Sequence, residues 1–157
     1  MEVMPGRGRF RIRAGRGRMA DMALTWYTVV VDCRDPQAQA RWWVEALDWT
    51  VVDDTPEEAV AVPRFALEGP EHESDLDAWM RRGQGLVFVP VPEGKEVKNR
   101  LHLDLAPHTS QDRDTEVRRL LDLGATHVDV GQTETGTFTV LADPEGNEFC
   151  VLSSRDG

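Results

Sequence analysis

Between Leu101 and Leu105 the chain reads L-H-L-D-L. That alternation puts His102 and Asp104 on one face of an extended segment and the three leucines on the other. Side chains two apart on a strand face lie about 6–7 Å from one another, so an imidazole and a carboxylate here could act on one small molecule. An imidazole with an ordinary pKa of about 6.5 changes charge near neutral pH. His102 is therefore a candidate general base, and Asp104 a candidate to orient it or to hold a ligand amine. Arg100 shares their parity and is an alternative partner for Asp104. In the closing run E-F-C-V-L, Glu148 and Cys150 share a face opposite Phe149 and Val151. In the opening run T-W-Y-T-V-V-V-D, Thr28, Val30 and Asp32 share a face opposite Val29 and Val31. Trp26 and Trp79 are candidates to line a pocket and stack on a planar ligand. Cys150 as a nucleophile would need a lowered pKa.

The elements that must position these residues come in a repeating order. A β-branched strand at Thr25 to Asp32 leads to Asp35, a natural helix N-cap, and Pro36, suited to the first helical position. Ala40, Trp43, Val44 and Leu47 then give one apolar stripe, which predicts a helix over Pro36 to Leu47. Trp42 lies about 100° off that stripe and is expected to cover an edge or a dimer contact. Strands follow at Trp49 to Asp53, at Ala59 to Leu67 (weakened by Pro63) and at Gly85 to Val91, with a short helix over Leu76, Trp79 and Met80 between the last two. The second round has a strand at Leu101 to Ala106 and a helix capped by Thr109 or Ser110, with Val117, Leu120 and Leu121 as its stripe and Gly124 as its stop. Strands at Thr126 to Val130, Thr137 to Leu141 and Glu148 to Ser153 complete it, the last two joined by the turn D-P-E-G-N. The order β-α-β-β-β thus occurs twice, as units of about 60–70 residues.

Composition narrows the partners. A chain of 157 residues with 40% hydrophobic and 29% charged content is one globular domain rather than a fibre or a disordered chain. No apolar run approaches the roughly 18 residues of a membrane span, so no membrane partner is expected. The formal net charge is −10, yet residues 1–20 hold six arginines and one acid, Glu2, so the remainder carries −15. An acidic body argues against nucleic acid, whose phosphates need a basic face. Residues 1–24, rich in Arg and Gly, are expected to be a disordered extension, and residues 25–157 the folded domain, with units at about 25–92 and 100–154. Cys33 and Cys150 form no C-x-x-C pair and are expected as reduced thiols in a cytoplasmic protein. Lys95, Lys98, Asn99 and Arg100 make a basic patch in the link between units, read as a solvated connector, a seam or a site for an anionic ligand.

Three stretches together, V-D-C-R-D-P followed by the Trp42–Trp43 helix, K-N-R-L-H-L-D-L, and A-D-P-E-G-N-E-F-C-V-L, resemble the vicinal oxygen chelate superfamily, in its glyoxalase-like domain subgroup. The group includes glyoxalase I, bleomycin-resistance proteins and extradiol dioxygenases. The resemblance spans Thr25 to Ser153. It implies an α+β fold in which two tandem βαβββ units form a curved, cup-like mixed sheet with helices outside, closed within one chain or across a dimer. The implied floor is Thr28, Val30, His102, Asp104, Glu148 and Cys150. Catalytic members of the superfamily hold a divalent metal there, on ligands from the first and last strands of each unit. Carried over residue by residue, those positions fall on Thr28, on His102, on the apolar run Phe88 to Val91 and on Cys150. His102 is thus the one candidate metal ligand of the usual kind, and no metal or other cofactor is expected.

The leading expectation is a glyoxalase-like, homodimeric protein that binds a small organic molecule in the cup without a metal. Three alternatives stand beside it. One is a metal-independent lyase, isomerase or dehydratase with His102 as base, another a non-catalytic dimeric interaction module, and the third a metal-dependent lyase or dioxygenase of the superfamily.

Overall fold

A computed structural model describes residues 26–68, 84–131 and 137–155. The Arg/Gly-rich extension, Trp79 and the expected helix around it lie outside the described residues. The first unit runs β1 (Thr28–Cys33), α1 (Pro36–Leu47), β2 (Trp49–Asp54), β3 (Ala59–Pro63), a 3-10 turn (Arg64–Leu67) and β4 (Gly85–Pro90). The second runs β5 (Leu103–Leu105), α2 (Arg113–Asp122), β6 (Thr126–His127), β7 (Phe138–Ala142) and β8 (Glu148–Leu152). The strand orders are β1-β4-β3-β2 and β5-β8-β7-β6. In each sheet the first strand pairs in parallel with the last, and the other pairings are antiparallel. The duplication expected from the pattern is therefore present in the topology, as two hydrogen-bonded sheets of four strands each.

Local chemistry explains most boundaries. The Asp35 side chain accepts from the Ala38 N–H at 2.9 Å and Pro36 opens α1. Pro63 ends β3 where a longer strand was expected, because the chain tightens into the 3-10 turn immediately after it. The cap of α2 is Asp112, not Thr109 or Ser110; its carboxylate accepts from the Thr115 N–H at 2.8 Å. Thr109 and Ser110 instead lie in a turn in which the Gln111 N–H bonds the His108 carbonyl at 2.8 Å. The C-terminal stop falls where Gly124 predicts it. Gly124 has φ +108°, and the Ala125 N–H returns to the Leu120 carbonyl at 3.0 Å in a Schellman closure. The expected strand from Leu101 shrinks to Leu103–Leu105, leaving Leu101 88% exposed.

The two units share one core. Trp43, Ala40, Leu86 and Phe88 of the first unit belong to the same buried cluster as Leu141, Phe149 and Val151 of the second. Trp42, expected at an edge, is in this core, edge-on to Trp43 at 5.1 Å and to Phe149 at 5.9 Å between ring centroids. Its indole N–H donates to the Leu123 carbonyl at 3.1 Å, so the polar end of the ring is satisfied by the second unit. Arg119 of α2 donates to the Ala46 carbonyl at 2.8 Å, at the C-terminal end of α1. Helix α1 thus packs on its own sheet and also carries the contact to the other unit.

Candidate functional site

The face of the second sheet turned away from the shared core is where four of the expected site residues, His102, Asp104, Glu148 and Cys150, meet. Pairing sets Asp104 beside Cys150, Cys150 beside Val140, and Leu152 beside Phe138. Because side chains alternate, these five point to the face opposite Phe149 and Val151, which lie in the core. A cavity of about 350 Å³ lies against that face. Phe138, Val140, Leu152 and Val130 form its apolar wall, while Lys98, His102, Asp104 and Cys150 form its polar side. That volume is at the small end of ligand pockets, which run from about 300 to 1,000 Å³.

The polar groups have defined partners. His102 places Nε2 3.0 Å from the Asn99 carbonyl oxygen. A carbonyl only accepts, so Nε2 carries the proton and the neutral ring keeps Nδ1 as its basic nitrogen. His102 lies just before β5 rather than within it. Burial pushes the Cys150 thiol up to about 11, and the Asp104 carboxylate that accepts its hydrogen bond pushes the same way. The thiol is therefore protonated at neutral pH, which removes the nucleophile reading of Cys150. Glu148 is buried, and both of its oxygens are engaged: Lys95 Nζ donates at 2.8 Å and the Asn99 N–H at 3.0 Å. Burial acts to raise the Glu148 pKa, but these two hydrogen bonds outweigh it and hold the carboxyl below the usual carboxylate range. The basic link is thus a seam, pinned by Lys95 and Asn99 to the start of β8 and by Asn99 to His102.

A second cavity, of about 460 Å³, runs between edge strands β1 and β5. Trp26, Val30 and Asp32 approach it from the first unit, and Arg100, Leu101, His102 and Glu148 from the second. His102 and Glu148 border both cavities. Val30 is 56% exposed on the face expected for it, and Trp26 is 65% exposed with its indole N–H on the Thr28 carbonyl at 3.1 Å. Thr28 lines neither cavity; its hydroxyl donates to the Gly85 carbonyl at 2.9 Å. Lys98 was weighed only as part of the basic patch, and Phe138, Val140 and Leu152 were missed as site residues. The signal for the last three was available, since Leu152 continues the parity of Glu148 and Cys150, and Phe138 and Val140 alternate on the adjacent strand. Nothing in the sequence told which way Lys98 leaves the link.

The residues present do not suit a divalent metal. Of the four expected positions, the Thr28 hydroxyl is hydrogen-bonded within the sheet and the Cys150 thiol is hydrogen-bonded to Asp104. The last strand of the first unit turns Val87 and Val89 to the same face as Val30 and Asp32. Glu148 is already compensated by an ammonium group. Among the described residues no three His, Cys, Asp or Glu side chains converge on a common point.

The D-P-E-G-N turn belongs to the framework. Asp143 is 2% exposed and accepts from the backbone N–H groups of Asn147 and Glu145 at 2.9 and 3.0 Å, from the Trp43 indole at 3.2 Å and from Gln39. Burial pushes its pKa up against the opposing pull of the Asn147 and Trp43 hydrogen bonds. Glu145 reaches back to the N–H groups of Arg34 and Asp35 at 2.7 and 2.9 Å, at the start of α1. Gly146, at φ +90°, closes the turn in a conformation that a side chain would strain. One turn of the second unit therefore grips both the start and the middle of α1.

Comparison with known proteins agrees with this geometry. A family model described as "Glyoxalase-like domain" matches residues 28–152. No curated protein matches the chain. Among solved structures, a glyoxalase/bleomycin resistance protein/dioxygenase family enzyme from Burkholderia phytofirmans PsJN is similar over 84% of this chain and 100% of its own, at 17% identity and a TM-score of 0.58. A glyoxalase-related enzyme from Fulvimarina pelagi is similar over 82% of this chain and 86% of its own, at 14% identity and a TM-score of 0.54. The trypanothione-dependent glyoxalase I of Leishmania major is similar over 83% of this chain and 87% of its own, at 14% identity and a TM-score of 0.52. At such identities the likeness is one of fold.

Proposed function

The chain belongs to the glyoxalase-like domain family, and from that premise we propose that it binds a small organic molecule against the open face of its second sheet, without a divalent metal. The observation that carries this reading is the cavity itself, lined by apolar Phe138, Val140 and Leu152 together with Lys98, His102 and Asp104. An apolar surface with a few convergent polar groups is the usual make-up of a small-molecule site. Glu148 adds no free charge, because Lys95 neutralises it. A ligand that binds only the folded state raises the melting temperature in proportion to RT ln(1 + [L]/Kd). A diverse compound screen by thermal shift should therefore find at least one class that stabilises wild type and loses most of its effect in Phe138→Ala. A screen with no stabilising class would sink the reading. Dialysed protein should hold far less than one equivalent of divalent metal; a stoichiometric ion lost in His102→Ala would overturn the metal-free part.

A second reading is favoured by one specific feature. His102 keeps Nδ1 as its basic nitrogen and borders both cavities, which suits a general base in a metal-independent lyase, isomerase or dehydratase. Its mark would be a turnover that is lost in His102→Ala while ligand binding is kept. We also propose a homodimer in a reducing, cytoplasmic compartment. The exposed apolar residues Trp26, Tyr27 and Leu101 support an interface, and the two unpaired cysteines support the compartment. Sedimentation at micromolar concentration tests the first, and a purely monomeric boundary would refute it.

A further inference from the structure

We propose that the ligand of the second-sheet cavity is a zwitterion with an apolar tail, of the amino-acid kind, whose ammonium group meets Asp104 and whose carboxylate meets Lys98. The inference rests on the reading of this cavity as the binding site and names the class of molecule it takes. The argument is one of charge accounting. Three charged side chains border the cavity beside His102: Lys98, Asp104 and Glu148. Glu148 is spoken for, since Lys95 and the Asn99 N–H occupy its two oxygens. Lys98 and Asp104 remain. Among the described residues neither forms an ion pair, with the other or with any third group.

The cavity therefore presents one uncommitted anion and one uncommitted cation that do not cancel by contact. A solely cationic ligand would leave Lys98 repelling it, and a solely anionic one would leave Asp104 doing so. A molecule carrying both charges on neighbouring carbons can satisfy both with charge-assisted hydrogen bonds. The Cys150 thiol occupies part of the Asp104 carboxylate as a neutral donor, which leaves its negative charge in place. Beyond the charged groups, Phe138, Val140 and Leu152 offer an apolar wall that suits a branched or one-ring side chain. A cavity of about 350 Å³ has room for such a molecule. The strongly acidic body would by itself draw cations; Lys98 is what makes a carboxylate acceptable at this place.

The test uses the full-length protein and four probes of one shape: L-phenylalanine with both charges, phenethylamine with the ammonium alone, 3-phenylpropanoate with the carboxylate alone, and 3-phenylpropanol with neither. Calorimetry should rank L-phenylalanine tightest. Asp104→Asn should weaken L-phenylalanine and phenethylamine on the order of tenfold or more and leave 3-phenylpropanoate unweakened. Lys98→Met should do the reverse. Both side chains are exposed, so the variants should fold, and circular dichroism verifies it. If 3-phenylpropanol or a singly charged probe binds as tightly as L-phenylalanine, and Phe138→Ala abolishes that binding, the zwitterion is overturned while the cavity reading stands. If no probe binds, the zwitterion falls as well, and the broad compound screen alone then decides the cavity reading.

Discussion

At the scale of single residues, the pair Asp104–Cys150 shows how a neighbour decides what a side chain can do. Burial and the Asp104 carboxylate that accepts its hydrogen bond both raise the thiol pKa, and the opposing pull of the nearby Lys98 charge does not reverse them. The consequence for stability has a definite sign. The folded-state pKa is raised from 9.0 to about 11, so the contribution is complete below pH 9 and is lost as pH rises toward 11. Urea unfolding at pH 8 and pH 10.5 should show the loss in wild type and a smaller one in Cys150→Ser. The residual slope includes Cys33, which burial also pushes up to about 11. Equal slopes in the two proteins would refute the assignment. Iodoacetamide should also label Cys150 faster in Asp104→Asn than in wild type at pH 8, because one of the two causes of the raised pKa is then gone.

At the scale of elements, the loop between β7 and β8 works as a clamp on α1. Its physics is the satisfaction of donors. The Asp143 side chain collects backbone donors from its own turn and side-chain donors from Gln39 and Trp43 of α1, while Glu145 satisfies N–H groups at the start of the same helix. Asp143→Asn keeps the shape but sets an amide N–H₂ against the Trp43 indole or the turn N–H groups, which can only donate. It should cost about 2–4 kcal/mol, the range for leaving one or two buried donors unsatisfied. A urea midpoint that gives a loss below about 0.5 kcal/mol would show that the clamp is dispensable. The shortness of β5 is an element-scale fact as well. His102 leaves the ladder and bonds the Asn99 carbonyl of the link instead, so the link and the histidine hold each other in place.

At the scale of the whole molecule, the repeated topology makes two sheets but not two folding units. Trp42 and Trp43 of α1 pack on Phe149 of β8, with ring centroids 5.9 and 5.3 Å away. A fragment ending at residue 92 would leave those indoles without their partner, at a cost of about 2–3 kcal/mol per large apolar side chain exposed. Thermal unfolding of the full chain should be a single transition with matching calorimetric and van't Hoff enthalpies, and the fragment 26–92 should lack a cooperative transition. Two resolved transitions would mean that the shared core contributes little.

Much of this was legible in the chain itself, wherever one local rule dominated. Alternation assigned the faces of β1, β5 and β8, the Asp35–Pro36 pair opened α1, Gly124 closed α2, and the repeated order of elements predicted the two sheets. These outcomes depend on residues within a few positions of each other. The chemistry of the site did not. Whether Glu148 is a free carboxylate depends on Lys95, 53 positions away; whether Trp42 is an edge residue depends on Phe149; whether Lys98 points into a cavity depends on how the link crosses the seam between units. Each is a contact between segments whose approach is set by burying one common apolar core, and the identity of a side chain carries no record of which distant group that burial will bring beside it.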